Sequence, residues 1–244
     1  MTAGRAFLDL HCHTRASFDS LSDPAAVVRA AAARGLTHLA ITDHERIDGA
    51  LEARDAAAAL RALGAHAPTI IVGEEIRTRD GDLLGVFLTE PVPPGLSAHE
   101  TAAAIRGQGG LVGIPHPFDR FRGSMAKAVE DFEALAAEVD WIEAWNARLM
   151  VGDGNGRAAE LALRLGIPGV ASSDAHTILE VAVASTSVHG DPSTPEGLRA
   201  ALAGERELQL GRASAYVRLV TPVAKLIQRR RGRGRVPIPG GPDR

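Results

Sequence analysis

The chain alternates short apolar runs with longer amphipathic or alanine-rich stretches. The short runs predict strands near 7–13, 37–42, 69–72, 83–88, 111–114, 141–145, 169–171 and 208–210. The intervening stretches predict helices near 24–34, 48–63, 98–106, 124–138, 157–165 and 195–203. Strands that alternate with helices imply parallel pairing, with 83–88 read as a hairpin partner of the strand before it. The pattern therefore predicts an α/β fold, a closed or distorted β/α barrel of six or seven units.

Length and composition are compatible with one large domain in solution. The chain has 244 residues, of which 45% are hydrophobic, and its single cysteine excludes an internal disulfide. No apolar run is long enough to cross a bilayer, and residues 1–5 lead directly into a strand without the apolar segment of a secretion signal. These features predict a soluble, cytoplasmic protein without a transmembrane segment.

The C-terminal end differs from the rest of the chain in charge and pattern. The formal net charge is −3, but residues 225–244 hold seven Lys/Arg and one Asp, which leaves −9 on the remainder. Apolar residues recur at helical spacing: Tyr216, Leu219, Val220, Val223, Leu226 and Ile227. We therefore expect a barrel over 1–215, then over 216–244 a helix docked on it and a disordered basic tail. The basic run could also contact an anionic partner, such as a membrane surface or nucleic acid.

Metal-binding residue types fall at the ends of the predicted strands. Residues i and i+2 of a strand share a face, so His11 and His13 project together while Cys12 points away. Other strand ends carry His44, Glu75, His116, Asn146, Asp174 and His176. In a β/α barrel these ends meet on one face, where active sites are built. So many imidazole and carboxylate ligands without a usable thiolate predict at least two Zn, Mn or Fe ions.

The motifs that carry these residues resemble a known family. They are Asp-Leu-His-Cys-His-Thr (9–14), Ile-Thr-Asp-His (41–44), Gly-Glu-Glu-Ile (73–76), Ile-Pro-His-Pro (114–117), Glu-Ala-Trp-Asn-Ala-Arg (143–148) and Ser-Ser-Asp-Ala-His (172–176). Their order and spacing are similar to those of the PHP (polymerase and histidinol phosphatase) superfamily over about residues 6–212. The resemblance implies a distorted (β/α)7 barrel whose two- or three-metal centre hydrolyses phosphoesters. It also implies a ligand set, with Glu75 as the bridge: His11, His13, His44, Glu75, His116, Asp174 and His176.

Two positions depart from the family pattern. Many members carry an Asp five residues after the second His of the first motif, where this chain has Phe18 followed by Asp19. Many members also carry a His in the hairpin after the bridging Glu, where this chain has Asp82. Asp19 and Asp82 are therefore candidate ligands that would enrich the site in oxygen and make Mg a possible ion. The alternative for Asp82 is that it only caps a turn.

Arginines near the strand ends are candidate phosphate ligands. Arg148, together with the strand-end Asn146, and the pair Arg120 and Arg122 lie where a substrate phosphate needs donors. The alternative is that these arginines are solvated loop charges.

These residues predict metal-dependent hydrolysis of phosphoesters. A metal-bridged hydroxide would attack phosphorus, and His44, Asp174 or His176 would manage protons at the leaving group. An acidic barrel without an evident basic, aromatic groove favours a small phosphorylated substrate, including a nucleotide or short oligonucleotide, over a long polynucleotide. Two alternatives stay open: a metal-dependent amidohydrolase, and a non-catalytic metal-binding regulatory module.

Overall fold

The computed structural model describes residues 4–119, 132–149 and 151–238. Its strands are β1 Arg5–Asp9, β2 His38–Ile41, β3 Thr69–Arg77, β4 Asp82–Val86, β5 Leu111–Ile114, β6 Trp141–Asn146, β7 Gly169–Ser172, β8 Ser185–His189 and β9 Arg206–Gln209. Its helices are α1 Pro24–Ala33, α2 Asp48–Ala62, α3 Ala98–Gly107, α4 Phe132–Ala136, α5 Gly154–Leu165, α6 Pro195–Ala203 and α7 Val217–Arg230. The first part of the helix predicted over 124–138 lies outside the described residues.

The strands form one sheet that curves into a nearly closed barrel. Their order within the described residues is β7-β6-β5-β4-β3-β2-β1-β8-β9. The Thr186 hydroxyl of β8 accepts a hydrogen bond from Ala171 N (2.8 Å) and donates one to Ala171 O (3.1 Å), which brings β8 against β7. This arrangement confirms the predicted α/β fold and distorted barrel.

The sheet is mixed, whereas alternating strands and helices predicted parallel pairing. β4 is antiparallel to both β3 and β5, and β8 is antiparallel to both β1 and β9. The β3–β4 connection is a tight turn through Gly81 (φ 133°), too short for the crossover that a parallel pair needs. The hairpin expected after Glu75 is therefore confirmed. β8 was not predicted, because Ser-Thr-Ser-Val-His contains no apolar run.

Helix α7 packs on the barrel, but through a different face from its most apolar one. Val217, Ala224 and Gln228 are buried against the barrel. Large apolar residues at helical spacing are exposed instead: Tyr216, Leu219, Val223 and Leu226, between 52% and 71%. Gln228 Nε2 lies 2.6 Å from Arg15 O, 2.9 Å from Ser17 O and 2.8 Å from Ser20 O. Hydrogen bonds from Gln228 to the loop over 15–20 therefore hold α7 in place together with the buried Val217 and Ala224.

The chain continues past α7 across the end of the barrel. Residues 231–238 are described, with Arg77 Nη2 donating to Val236 O (2.6 Å) and Arg233 Nη1 donating to Arg15 O (3.3 Å). The division of the chain at residue 215 stays a prediction. None of the helices within the described residues combines the length and hydrophobicity needed to cross a membrane.

Candidate metal centre

The first two histidines share a face just beyond β1. Cys12 forms an isolated parallel bridge with Ala175, and His13 N donates to Ala175 O (2.8 Å), so the backbone stays extended past Asp9. His11 Nε2 and His13 Nε2 consequently lie 3.0 Å apart, while Cys12 is buried in the apolar core on the other side. Two imidazole nitrogens that face each other this closely need a proton or a cation between them.

The side chains predicted as ligands converge at this end of the barrel. Three sets have ligand atoms within 4.8 Å of one another: His13, Asp19, His44 and His176; His11, His13 and Glu75; and Glu75, Asp82 and His116. His13 belongs to the first two sets and Glu75 to the last two. The three sets are therefore connected through shared residues. They include Asp19 and Asp82, the two positions that depart from the family pattern, together with the strand-end residues.

The two carboxylate oxygens of Glu75 face different ligands. Glu75 Oε2 is 3.2 Å from His11 Nε2, 3.3 Å from His13 Nε2 and 3.4 Å from His44 Nδ1. Glu75 Oε1 is instead 3.1 Å from His116 Nε2. His44 Nδ1 is buried and has no hydrogen-bond partner within the described residues. This geometry is that of a carboxylate placed to bridge two positive charges.

Asp174 and His176 close the site from the loop after β7. Asp174 Oδ1 lies 3.4 Å from His13 Nε2 and 3.6 Å from His11 Nε2. His176 Nδ1 donates to Asp174 O (2.9 Å), which directs His176 Nε2 toward Asp19 Oδ2 at 3.2 Å. Asp174 adopts φ 51°, and His116 adopts φ 27°. Left-handed backbone at non-glycine residues costs free energy and is concentrated at functional sites.

A close approach of backbone supports the loop that follows His13. Thr14 N and Thr14 Oγ1 both donate to the carboxylate of Asp43, each at 2.6 Å. Gly49, in the first turn of α2, packs on this pair: a Cβ there would lie 2.1 Å from Asp43 Oδ2. Only glycine fits at this position, so the start of α2 packs directly on the Thr14–Asp43 contact that links the His13 and His44 motifs.

Burial and charge oppose each other throughout the site. Burial alone would lower the pKa of His11, but Asp174, Glu143 and Glu75 raise it well above its ordinary value. Burial alone would also lower the pKa of His44, but the charges of Glu75 and Asp19 raise it to about 10. These carboxylates stabilise positive charge at the imidazoles. A divalent cation would satisfy the same negative field, so the nitrogen and oxygen donors present fit a divalent metal centre.

Glu143 is a site residue to which the sequence assigned no role. It lies within apolar β6, and its Oε1 accepts from His11 Nδ1 (2.8 Å), which leaves His11 Nε2 free to bind a cation. Its Oε2 accepts from His116 N (2.9 Å) and from Asn146 Nδ2 (3.0 Å). The only signal in the sequence is a carboxylate interrupting an apolar strand three residues before the strand-end Asn146.

The candidate substrate ligands have different surroundings. Asn146 Nδ2 also donates to Asp174 Oδ2 (3.1 Å), so its amide links β6 to the loop after β7. Arg148 Nε is 3.3 Å from Glu180 Oε1, and Arg148 Nη2 donates to Thr221 Oγ1 of α7 (2.7 Å). Burial, and then the Arg148 charge, lower the pKa of His176 to about 3. Arg120 and Arg122 lie outside the described residues.

Glu180 is a second site residue that the sequence did not single out. Its Oε2 accepts from His176 N (3.1 Å) and from Thr177 N (2.9 Å), while its Oε1 faces Arg148. One buried carboxylate therefore holds both the loop that carries His176 and the nearest arginine.

Comparison with known proteins places this geometry in a family. The PHP domain model matches residues 9–181, which include every strand-end residue described above. The chain belongs to the PHP-domain family. The recognised motifs, the barrel and the convergence of their ligands are thus features of one PHP domain.

This PHP domain is similar in sequence to an archaeal protein and in structure to several proteins with solved structures. The uncharacterized protein MJ1587 of Methanocaldococcus jannaschii is 32% identical over 149 residues, 57% of this chain and 81% of that protein. A two-domain Bacteroides vulgatus protein, described as containing a predicted PHP-like metal-dependent phosphoesterase, is 19% identical with a TM-score of 0.70, over 86% of this chain and 66% of that protein. The lesion-specific endonuclease PfuEndoQ of Pyrococcus furiosus is 18% identical with a TM-score of 0.63, over 84% of this chain and 58% of that chain. Both structures share the fold, and this chain spans less than two thirds of either.

Proposed function

We propose that this protein is a metal-dependent phosphoester hydrolase that acts on a small phosphorylated substrate. The family and a neighbour described as a metal-dependent phosphoesterase support the general kind of reaction. The ligand sets support two or three divalent ions, with Mn, Fe and Zn as candidates, and the carboxylates Asp19 and Asp82 make Mg a possible ion as well.

The observation that carries this proposal is the position of Glu75. Its Oε2 faces His11, His13 and His44 while its Oε1 faces His116, so one carboxylate connects two ligand sets. Ions that share such a bridge would acidify water to yield a nucleophile near neutral pH and would draw charge from the phosphoryl oxygens. A single structural ion would not require two sets of ligands that meet at one carboxylate.

The surrounding residues of the chain would orient the substrate and handle protons. The Arg148 guanidinium, held by Glu180 and Thr221, would contact a phosphoryl oxygen with its remaining N–H groups. His176 has its Nδ1–H occupied by the Asp174 carbonyl and a pKa of about 3, caused by burial and Arg148, so we assign it as a neutral ligand. His44 and Asp174 remain the candidates for moving the leaving-group proton. Asn146 would position Asp174.

The test compares two adjacent glutamates under one assay. Glu75→Gln should lose at least one ion per chain and reduce kcat/KM for p-nitrophenyl phosphate by at least about a hundredfold, because the bridge is lost. Glu74→Gln is the matched control: Glu74 lies on the other face of β3, accepts from Val92 N (2.8 Å) and has a pKa raised to about 8 by burial. Equal metal content and equal rates in the two variants would contradict the proposal.

The same preparation separates the alternative functions. Manganese-loaded protein would be tested on phosphomonoesters, phosphodiesters, short oligonucleotides and amides. Turnover of amides alone would identify an amidohydrolase, and stable metal binding with no turnover of any substrate would favour a regulatory module. We expect turnover of phosphoesters only.

A further inference from the structure

Cationic side chains from the C-terminal end of the chain lie beside the metal centre. Phe18 packs against His44 with ring centroids 4.9 Å apart, so its ring borders the ligand set that contains His44. Lys225 Nζ of α7 and the guanidinium carbon of Arg235 each lie 5.2 Å from the centroid of the Phe18 ring. A cation at this distance is attracted to the ring, which favours this position. Two positive charges thus lie beside Phe18 at the rim of the site.

The position of Arg235 is also set by a buried carboxylate. Arg77 Nε is 3.9 Å and Arg235 Nε is 4.0 Å from Glu45 Oε1, distances too long for hydrogen bonds. Both Nε atoms and both Glu45 oxygens are buried without a hydrogen-bond partner within the described residues. Two guanidinium groups therefore share one loosely placed carboxylate. With Lys225 beside Phe18, the rim carries three cationic groups.

The segment that supplies these cations is tied to a loop of the candidate metal centre. Gln228, one turn after Lys225, clamps the loop that carries Phe18 and Asp19 through the Arg15, Ser17 and Ser20 carbonyls. The segment that supplies the cations is therefore fixed to the same loop as a candidate ligand.

Two of the cations of this rim lie outside the part of the chain that matches the PHP model. The match ends at residue 181, whereas Lys225 and Arg235 come from α7 and the segment after it. The barrel contributes only Phe18, Glu45 and Arg77. The positive charges of Lys225 and Arg235 thus come from residues beyond the matched range.

We propose that Lys225 and Arg235 form an anion subsite that binds a second phosphate group of the substrate, several ångströms from the phosphoester that is hydrolysed. The proposal rests on the proposed function, because it extends the same substrate site. Arg77 supports the subsite by holding residues 231–238 in place through Val236 O. A ligand with two phosphate groups would bridge the metal centre and this rim, and a ligand with one would reach only the metal centre.

Binding of non-hydrolysable ligands tests this subsite without turnover. Butylphosphonate and butane-1,4-bisphosphonate differ by one phosphonate group, and their C–P bonds resist an esterase. Calorimetry on the metal-loaded protein should show the bisphosphonate binding at least about tenfold more tightly, since charge-assisted contacts to phosphate are strong. The double variant Lys225→Gln/Arg235→Gln should reduce this preference to about twofold or less and leave butylphosphonate affinity unchanged.

The control is Arg229→Gln, an exposed cation on the same helix, which should keep the preference of the parent protein. Unchanged butylphosphonate affinity in the double variant also shows that the metal centre is still folded. The single variants Lys225→Gln and Arg235→Gln give the same measurement if the double variant misfolds.

Three outcomes would overturn the subsite: an unchanged preference in the double variant, an equal loss for both ligands, or a loss in Arg229→Gln as large as in the double variant. Normal bisphosphonate preference in a protein that hydrolyses no phosphoester would overturn the proposed function and leave the anion subsite standing.

Discussion

Glu143 orients His11, a candidate metal ligand, through one hydrogen bond. Glu143→Gln should weaken metal binding roughly 10–100-fold, because the Nδ1–H of His11 loses the charged acceptor that orients the ring. Metal affinity would be measured by competition with a chelator, and circular dichroism would report the fold. Glu138→Gln is the matched control, since Glu138 accepts from His99 Nδ1 at the same 2.8 Å but on the surface. Equal metal affinities in the two variants would show that Glu143 only packs in the barrel.

His38 provides a pH dependence that is separate from the metal ligands. Burial lowers its pKa below the ordinary value of about 6.5 and outweighs the opposing charge of Asp191. The unfolded chain therefore binds more protons in the window below pH 6.5, so the stabilising contribution is present above that pH and is lost as pH falls.

Urea unfolding at pH 7.5 and pH 5.5 would measure this effect. The loss in free energy of unfolding between the two values should be smaller in His38→Gln, which keeps polar groups near Ser193 Oγ. The other titrating groups are present in both proteins, so their contributions to the pH dependence cancel when the two losses are compared. Identical losses in the two proteins would mean that His38 titrates alike in the folded and unfolded states.

At the scale of single residues, the sequence indicated most of the side chains that converge at this end of the barrel, because they follow the ends of predicted strands. His11, His13, Glu75 and His116 could be found in this way. Glu143 could not, because one carboxylate inside an apolar strand gives no indication of what it faces. Asp19 could be named only as a candidate, since its loop is shaped by contacts with Gln228, more than two hundred residues away.

At the scale of elements, helix α7 is fixed by a polar side chain. The two hydrogens of Gln228 Nε2 are shared among three backbone carbonyl oxygens of the loop over 15–20. Gln228→Ala should lower the free energy of unfolding by about 1–3 kcal/mol, because buried carbonyls lose their donor. Urea unfolding measures this value, and limited proteolysis should show faster cleavage within α7. Arg229→Ala, an exposed neighbour, should change the free energy by less than about 0.5 kcal/mol.

The apolar pattern of α7 indicated the helix correctly but not its orientation. Periodicity identifies which residues share a face, and the largest apolar face is normally the buried one. In this helix Tyr216, Leu219 and Leu226 are exposed, because the smaller Ala224 lets the backbone approach the barrel where Gln228 reaches the carbonyls. β8 was missed for a related reason: its barrel contacts are made by hydroxyls such as Thr186.

At the scale of the whole molecule, the metal centre and the barrel should depend on each other for stability. Carboxylates and imidazoles from both halves of the sheet meet at this site, so bound ions would connect distant parts of the chain. Ions present at a thousand times their Kd would stabilise the fold by about 4 kcal/mol. For a chain of this size that corresponds to a Tm increase of roughly 8–16 °C.

Thermal unfolding with and without a chelator would measure this contribution. The chelated protein should unfold at lower temperature, and manganese should restore the parent Tm. His13→Ala should respond little to the chelator, because His13 belongs to two of the ligand sets. A chelator response in His13→Ala equal to that of the parent protein would place the stabilising ion elsewhere.

The alkylation rate of Cys12 would measure how often the metal centre opens. Cys12 is the only cysteine of the chain, it lies between His11 and His13 in sequence, and its side chain is buried in the apolar core on the opposite face, where burial raises its thiol pKa well above the ordinary value. A thiol-alkylating reagent can reach this sulfur only when the extended segment separates from its neighbours. The labelling rate, followed by mass spectrometry, therefore reports how often the segment leaves its native position. We expect bound metal to slow this labelling, so the rate at which the native thiol reacts would measure how often the metal centre opens.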